Sequence, residues 1–562
     1  MKKSKLKIKP ILMLILLIVL VIGVLFFFNK DAVIIKKKEN KIMYISSAIN
    51  NVITYDLEYN EKDKLTRGLE VEKIEKLVKD EKNYYKVNYK DKFYVVSEDN
   101  LVNEKNDIVK ENKVYVRTPA TIYKESNNIS ILGIINQGEE VEILSYDEID
   151  DSGNVNMYKI KYNDITGYIY GKYITFDLDS SKLPYENYNE LHSKSGSTLG
   201  GGNAGNLDYY PRVKPKFEDN VMPETVNALY LNGSRLTINN VDKYIELAKD
   251  TNINAFVVDI KDNQVPAYKS PVMEKYSPTN YKYANNEFDN YKAAIKKLND
   301  AGFYTIGRIT VFKDKYYVED HPESAITDTR TNKPFLHSST YWPSPFNRGV
   351  WEFNVALAIE GIKEMEFNEI NFDYVRFPDR TTNNEKNGLM DLKNSFNEEK
   401  AQAIQRFLMY ATDEIHKVGG YVSGDVFGES AHKYVTAYGQ YYGAMANVLD
   451  VISPMPYPDH FSNYEYGFKT PVYKIPYDLL NFWTKNYVLW HQENVPTPAV
   501  TRSWIQTYDS YKGGGYPYGV NEVDAQIRAF HDNGVTGGFM TWNSGSSLKK
   551  YTLLKDVWTK EY

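Results

Sequence analysis

The sequence predicts an α/β fold, a parallel (β/α)8 barrel over residues 221–562, preceded by two small all-β barrels and an N-terminal transmembrane helix. Three observations carry this. After residue 221, short apolar runs alternate with longer stretches of helical period, the pattern of repeated strand–helix units. Residues 42–176 instead consist of short alternating runs broken by Gly, Asn and Asp. The chain opens with lysines and then an uncharged apolar run, Ile11–Phe28.

Composition narrows the function. With 562 residues, 42% hydrophobic and 25% charged, the chain has material for several packed cores. A net charge of -6 provides no basic field for phosphates, so no nucleic-acid partner is expected. Cysteine is absent, which excludes disulfides, thiolate metal sites and a cysteine nucleophile.

Residues 1–30 read as an anchor. Lys2, Lys3, Lys5, Lys7 and Lys9 precede Ile11–Phe28, a run long enough to cross a bilayer core at ~1.5 Å per residue. It ends Leu25-Phe26-Phe27-Phe28-Asn29-Lys30, with no small-x-small cleavage site, so the helix is expected to stay. Lys36–Lys38 on the far side weaken the asymmetry, but the nearer, denser cluster places the N-terminus in the cytoplasm and the body outside the cell membrane.

An internal repeat follows. Tyr85-Lys86-Val87-Asn88-Tyr89 resembles Tyr158-Lys159-Ile160-Lys161-Tyr162, and Gly68-Leu69-Glu70-Val71-Glu72 resembles Gly138-Glu139-Glu140-Val141-Glu142. A spacing of ~70 residues fits tandem small β-barrels, residues 42–104 and 112–177. In the second copy, Val114-Tyr115-Val116-Arg117-Thr118-Pro119, Ile131-Leu132-Gly133, Gly138-Glu139-Glu140-Val141 and Gly167-Tyr168-Ile169 are similar to bacterial SH3-like domains. The first copy is degenerate and lacks the Val-Arg-Thr-Pro opening. The resemblance implies binding of cell-wall peptides, peptidoglycan peptides among them; a spacer role is the alternative. Residues 178–220, with Gly200-Gly201-Gly202-Asn203-Ala204-Gly205, read as a flexible linker.

Eight strands are predicted beyond it: Asn227–Gly233, Ala255–Lys261, Tyr304–Thr310, Glu369–Pro378, Tyr421–Gly428, Val448–Tyr457, Val500–Tyr508 and Gly537–Asn543. Helical stretches between them end at Gly302, Gly419 and Gly534, as helix C-termini do. Function in such a barrel gathers at the C-terminal strand ends.

Asp259, Asp373 and Asp425 each interrupt an apolar strand there, which is costly unless they are paired or functional. Period-2 alternation puts Asn371 and Asp373 on one face, so that Asp373 meets Asp425 on the next strand if this face is the inner one. Two carboxylates on adjacent strand ends, a nucleophile or base and a proton donor, are the minimal apparatus for glycoside hydrolysis. Asp259, Lys261, Arg308, Asn371, Arg376 and Asp509 are the candidate polar contacts to substrate. All 7 tryptophans lie in the C-terminal part; Trp342, Trp504 and Trp542 are candidate sugar-stacking rings, and Trp351 and Trp558 fall on helical patterns as core.

The segment Arg308-Ile309-Thr310-Val311-Phe312-Lys313-Asp314, His321-Pro322-Glu323, Trp342-Pro343-Ser344-Pro345, Val350–Ala358 and Glu369-Ile370-Asn371-Phe372-Asp373-Tyr374-Val375-Arg376-Phe377-Pro378 closely resembles a bacterial glycosyl hydrolase family. That family is regarded as a TIM barrel distantly related to the α-amylase-like glycosidases. The resemblance implies Asp373 as nucleophile and Asp425 or Glu429 as acid/base.

The 8 histidines show no paired metal spacing, and there is no Gly-x-Ser-x-Gly elbow or Walker loop. No metal or cofactor is expected. The expected partner is a cell-wall or surface polysaccharide, cut by the barrel or, alternatively, only bound by it.

Overall fold

The structure, a computed structural model, describes residues 41–193, 199–263 and 265–562. The expected anchor lies outside the described residues, among which no helix is long and apolar enough to cross a membrane. The described residues form two compact units.

The first unit comprises the residues up to Asn112 together with Ser145–Asn156. Its seven-stranded antiparallel sheet closes over Ile45, Val52, Val71, Val87 and Val96. Each of these is an inward residue of an alternating strand, which is why short, half-polar segments suffice to build a core. Buried Arg67 donates to the Gly153 carbonyl through Nε (3.0 Å) and Nη2 (2.7 Å), tying Ser145–Asn156 to this sheet.

The second unit begins with another seven-stranded sheet. Counted in chain order within each sheet, both run third, second, sixth, fifth, fourth, first, seventh. The repeated sequence blocks fall on equivalent places: Tyr85–Tyr89 and Tyr158–Tyr162 are in the fifth strands, and Gly68 and Gly138 precede the fourth. Both glycines take positive φ (90° and 81°), a turn that a side chain would strain.

This second sheet packs on the barrel through buried polar contacts. Tyr173 donates to both oxygens of Asp413 (2.7 and 2.6 Å), Lys172 pairs with the same carboxylate at 2.6 Å, and Arg212 donates to the Tyr173 hydroxyl at 2.8 Å. Tyr410 donates to the Ile129 carbonyl (2.7 Å), and Ile131 N–H to Glu352 (2.7 Å). Asp413→Ala leaves the Tyr173 hydroxyl and the Lys172 ammonium without their acceptor. It is expected to cost about 2 kcal/mol, since Lys172 is half exposed and the full buried-pair penalty does not apply. Urea unfolding of the purified variant measures this; an unchanged midpoint means the contact contributes nothing.

The expectation of a flexible linker fails for the described part of 178–220. Ala204, Leu207 and Tyr209 are buried against Ala401, Val435, Tyr441 and Val495, and Asp208 exchanges two backbone hydrogen bonds with the Gln405 amide (2.8 and 2.7 Å). The glycines serve close approach. A Cβ on Gly201 would stand 1.8 Å from the Thr436 carbonyl oxygen.

The barrel strands are β1 (Val226–Leu231), β2 (Ala255–Lys261), β3 (Tyr304–Thr310), β4 (Glu369–Asp373), β5 (Tyr421–Phe427), β6 (Val451–Met455), β7 (Val500–Thr501 and Ser503–Gln506) and β8 (Gly538–Trp542). These nine segments form one parallel, nearly closed sheet. Its two free ends are the halves of β7: Val500–Thr501 pair with β6, Ser503–Gln506 with β8, and Arg502 stands at the break. Arg502 is buried and pairs with Glu369 Oε1 at 2.8 Å, with the Tyr304 hydroxyl donating to Oε2 at 3.1 Å. Helices Phe288–Asp300, Arg348–Lys363, Lys400–His416 and Val520–His531 cover the outside, and Gly302, Gly419 and Gly534 end helices at positive φ (85°, 78° and 73°). Val226, Ala228, Val257, Ile306, Trp504 and Met540 belong to the cluster that fills the barrel.

Candidate active site

A pocket of about 350 Å³ opens at the C-terminal ends of the strands, lined by Tyr230, Asp262, Arg308, Asp373, Tyr374, Arg376, Tyr457, His460, Trp504 and Trp542 among others. Register explains the convergence. Asp259 is level with Arg308, Arg308 with Asn371, and Asn371 with Ser423, so neighbouring strands deliver these side chains at one height.

Arg308 is the hub. Its Nη1 donates to Asp259 Oδ1 at 2.6 Å, its Nη2 bonds Asp373 Oδ2, and Asp262 lies 3.6 Å from Nη1. Asp259 also accepts from the Tyr230 hydroxyl. Burial pushes the Asp259 carboxyl up to about 6, against the pull of the guanidinium.

Asp373 ends β4, and its Oδ1 accepts its neighbour Tyr374 N–H at 2.5 Å. Tyr374 has φ of 52°, a left-handed conformation costing about 1 kcal/mol or more in a residue with a Cβ. The strand predicted to run to Pro378 therefore stops at Asp373 and leaves that carboxylate at the pocket, 7% exposed.

Asp425 is 1% exposed. Asn371 Nδ2 and Trp504 Nε1 both donate to its Oδ1 at 2.8 Å, and its Oδ2 has no partner. Burial, and then the nearby Asp373 charge, push this carboxyl well above the ordinary range. The two carboxyl groups are thus unlike: one meets a guanidinium, while the other is buried and pushed toward its protonated form.

The structure gathers Asp259, Arg308, Asn371, Asp373, Arg376, Asp425, Trp504 and Trp542 in or directly beneath the pocket. Arg376 donates to Asp379 (3.1 Å) and stacks over Phe427. Trp504 is almost wholly buried and its ring is no open stacking platform. Four further expectations fail. Lys261 pairs at 2.6 Å with buried Asp314, because β2 has a register shift between Asp259 and Lys261 that breaks the alternation. Glu429 sits in a 3-10 turn and accepts from Tyr434 (3.1 Å) and Tyr438 (2.9 Å), away from the pocket lining. Trp342 is buried under Arg376. Asp509 is exposed and paired with Lys550 at 2.8 Å. Sequence reasoning left out Tyr230, Asp262, Tyr374 and His460 as site residues. Tyr230 was legible, since alternation with Ala228 in β1 turns it inward at a strand end.

A nearly closed parallel barrel with inward carboxylates on adjacent strand ends has the parts that hydrolysis of an O-glycosyl bond requires. The chain belongs to the bacterial family described as "Putative glycosyl hydrolase domain", whose profile matches residues 228–548, more than half of the sequence. No curated protein matches it. Among solved structures the chain is similar to a hypothetical protein from Ruminiclostridium thermocellum, 29% identical over 35% of this chain and 97% of that one, with a TM-score of 0.30. It is also similar to the PgaB (BpsB) glycoside hydrolase domain from Bordetella bronchiseptica (14% identity, 61% and 100% coverage, TM-score 0.43). A third is the spore cortex-lytic enzyme SleL from Bacillus megaterium (12% identity, 60% and 76% coverage, TM-score 0.35).

Proposed function

We propose that this protein is a membrane-anchored, extracytoplasmic glycosidase that cuts a cell-wall or surface polysaccharide. The observation that supports it best is the contrast between Asp373 and Asp425. Asp425 carries the proton that the departing glycosidic oxygen needs. Asp373 offers its carboxylate to the anomeric carbon, or to the water that attacks it, with Arg308 fixing its orientation. Asn371 and Trp504 orient Asp425 from below. The N-terminal sheets, read as SH3-like modules, hold the enzyme to wall peptides, and Ile11–Phe28 holds it to the membrane.

The test is reducing-end release from purified wall polysaccharides by the full-length protein beside Asp425→Asn. Activity of the parent should fall on the alkaline side as Asp425, whose carboxyl burial pushes well above the ordinary range, loses its proton. Asp425→Asn should lose polysaccharide cleavage by ~10²-fold or more and lose the alkaline fall. It should keep more of its activity on an aryl glycoside, whose leaving group needs no proton. Binding of a polysaccharide without any cleavage would replace the enzyme with a non-catalytic glycan-binding barrel.

A further inference from the structure

We propose that the barrel-mouth pocket takes a glycan carrying a free, protonated amine, an amino sugar that is not N-acylated; this rests on the glycan-hydrolysing reading of the same site. Counting charges and donors around the pocket leads there. Arg308 faces three carboxylates and has hydrogen bonds for two of them, Asp259 and Asp373. Asp262 is left over: at 3.6 Å from Nη1 it is beyond hydrogen-bond reach, and its side chain is 32% exposed at the pocket lining. Arg376, the other lining guanidinium, is engaged by Asp379 and by the Phe377 carbonyl.

Each lining guanidinium thus already faces a carboxylate, Arg308 those of Asp259 and Asp373 and Arg376 that of Asp379. Lys313, on the loop after β3, turns its ammonium to the Tyr374 ring (4.7 Å from the centroid) and hydroxyl (3.4 Å). His460 lies 3.7 Å from Asp459, and burial lowers its pKa, so it adds no positive charge at neutral pH. A uronate or phosphate group would meet Asp262 and Asp373 beside guanidiniums that already face carboxylates. An ammonium would gain the unspent Asp262 carboxylate. The aromatic part of the lining is consistent with this: Tyr230 and Trp542 already face the Arg308 guanidinium and Tyr374 the Lys313 ammonium, so these walls accommodate cations. The place a bound metal would need among the carboxylates is filled by the Arg308 guanidinium, and no metal-holding cluster occurs among the described residues.

The experiment takes whichever wall polysaccharide the full-length protein cuts or retains and N-acetylates it with acetic anhydride in water, which removes the ammonium charges and leaves the hydroxyls. Cleavage and retention should both fall about tenfold, the scale of one charge-assisted contact, and the preference should shrink with added salt because Asp262 is partly exposed. Asp262→Asn should reduce the ratio between the untreated and acetylated polymers toward one. Equal handling of both polymers by the parent, or a ratio that Asp262→Asn leaves unchanged, overturns the proposal. If nothing is cut, the hydrolase reading falls, and retention of untreated against acetylated polymer still decides this one. Retention of neither polymer overturns it.

Discussion

Asp373→Asn should abolish polysaccharide cleavage, by ~10³-fold or more, while leaving the protein folded. Removing a nucleophile or base at the reacting centre costs on the order of 10²–10⁴ even when geometry is kept. Asparagine keeps the shape and one oxygen, and Arg308 keeps a carboxylate partner in Asp259. The melting temperature should therefore move little, because Asp373 is the more solvent-facing of the two carboxylates hydrogen-bonded to Arg308, 7% exposed against 1% for Asp259. Thermal unfolding beside reducing-end release separates the two readouts. A variant that still cuts would remove Asp373 from the chemistry and leave it as a partner of Arg308 alone.

Arg502→Met should be the most destabilising single change at the base of the barrel, by about 3–5 kcal/mol, because it leaves the fully buried Glu369 carboxylate facing only the Tyr304 hydroxyl. The size follows from asymmetry. A buried pair contributes modestly against a well-packed apolar replacement, but breaking one side strands a charge away from water. The double variant Arg502→Met, Glu369→Gln should recover a large part of the loss, and urea unfolding of the four proteins completes the cycle. Additive single effects would mean that the two residues do not act as a pair. Arg502 also stands where β7 divides, so its loss should loosen closure of the sheet before it disturbs the strand-end site.

The three carboxylates and the arginine illustrate what could be read in advance. Asp259, Arg308, Asp373 and Asp425 stood out in the sequence because a charge in an apolar strand must be paired or used, and alternation said which face of β4 carried Asn371 and Asp373. Lys261, expected as a strand-end contact, and Glu429, expected from the family resemblance, lie elsewhere. A one-residue register shift in β2 turns Lys261 to Asp314, and the turn after Phe427 sends Glu429 to two tyrosines. Neither event leaves a mark on hydrophobic period. Trp342 and Asp509 failed for a related reason, since loop residues owe their exposure to whatever the loop folds against.

Some properties of this protein follow from the chain of letters alone. The eight barrel strands, the helices ended by Gly302, Gly419 and Gly534, and the repeated blocks around Gly68 and Gly138 all come from short-range periodicity and backbone preference, which act within a few residues. Other properties exist only once distant segments meet. The glycine-rich stretch is bound at the barrel because Gly201 lets two backbones touch, whereas composition alone cannot tell close approach from flexibility. The rise of the Asp425 carboxyl toward its protonated form is of the same kind. Asp373 and Asp425 are the same residue type at equivalent strand ends, and they differ only because one meets a guanidinium while the other is buried beside an indole N–H and an amide. Desolvation and long-range pairing, which need the folded barrel, set that difference.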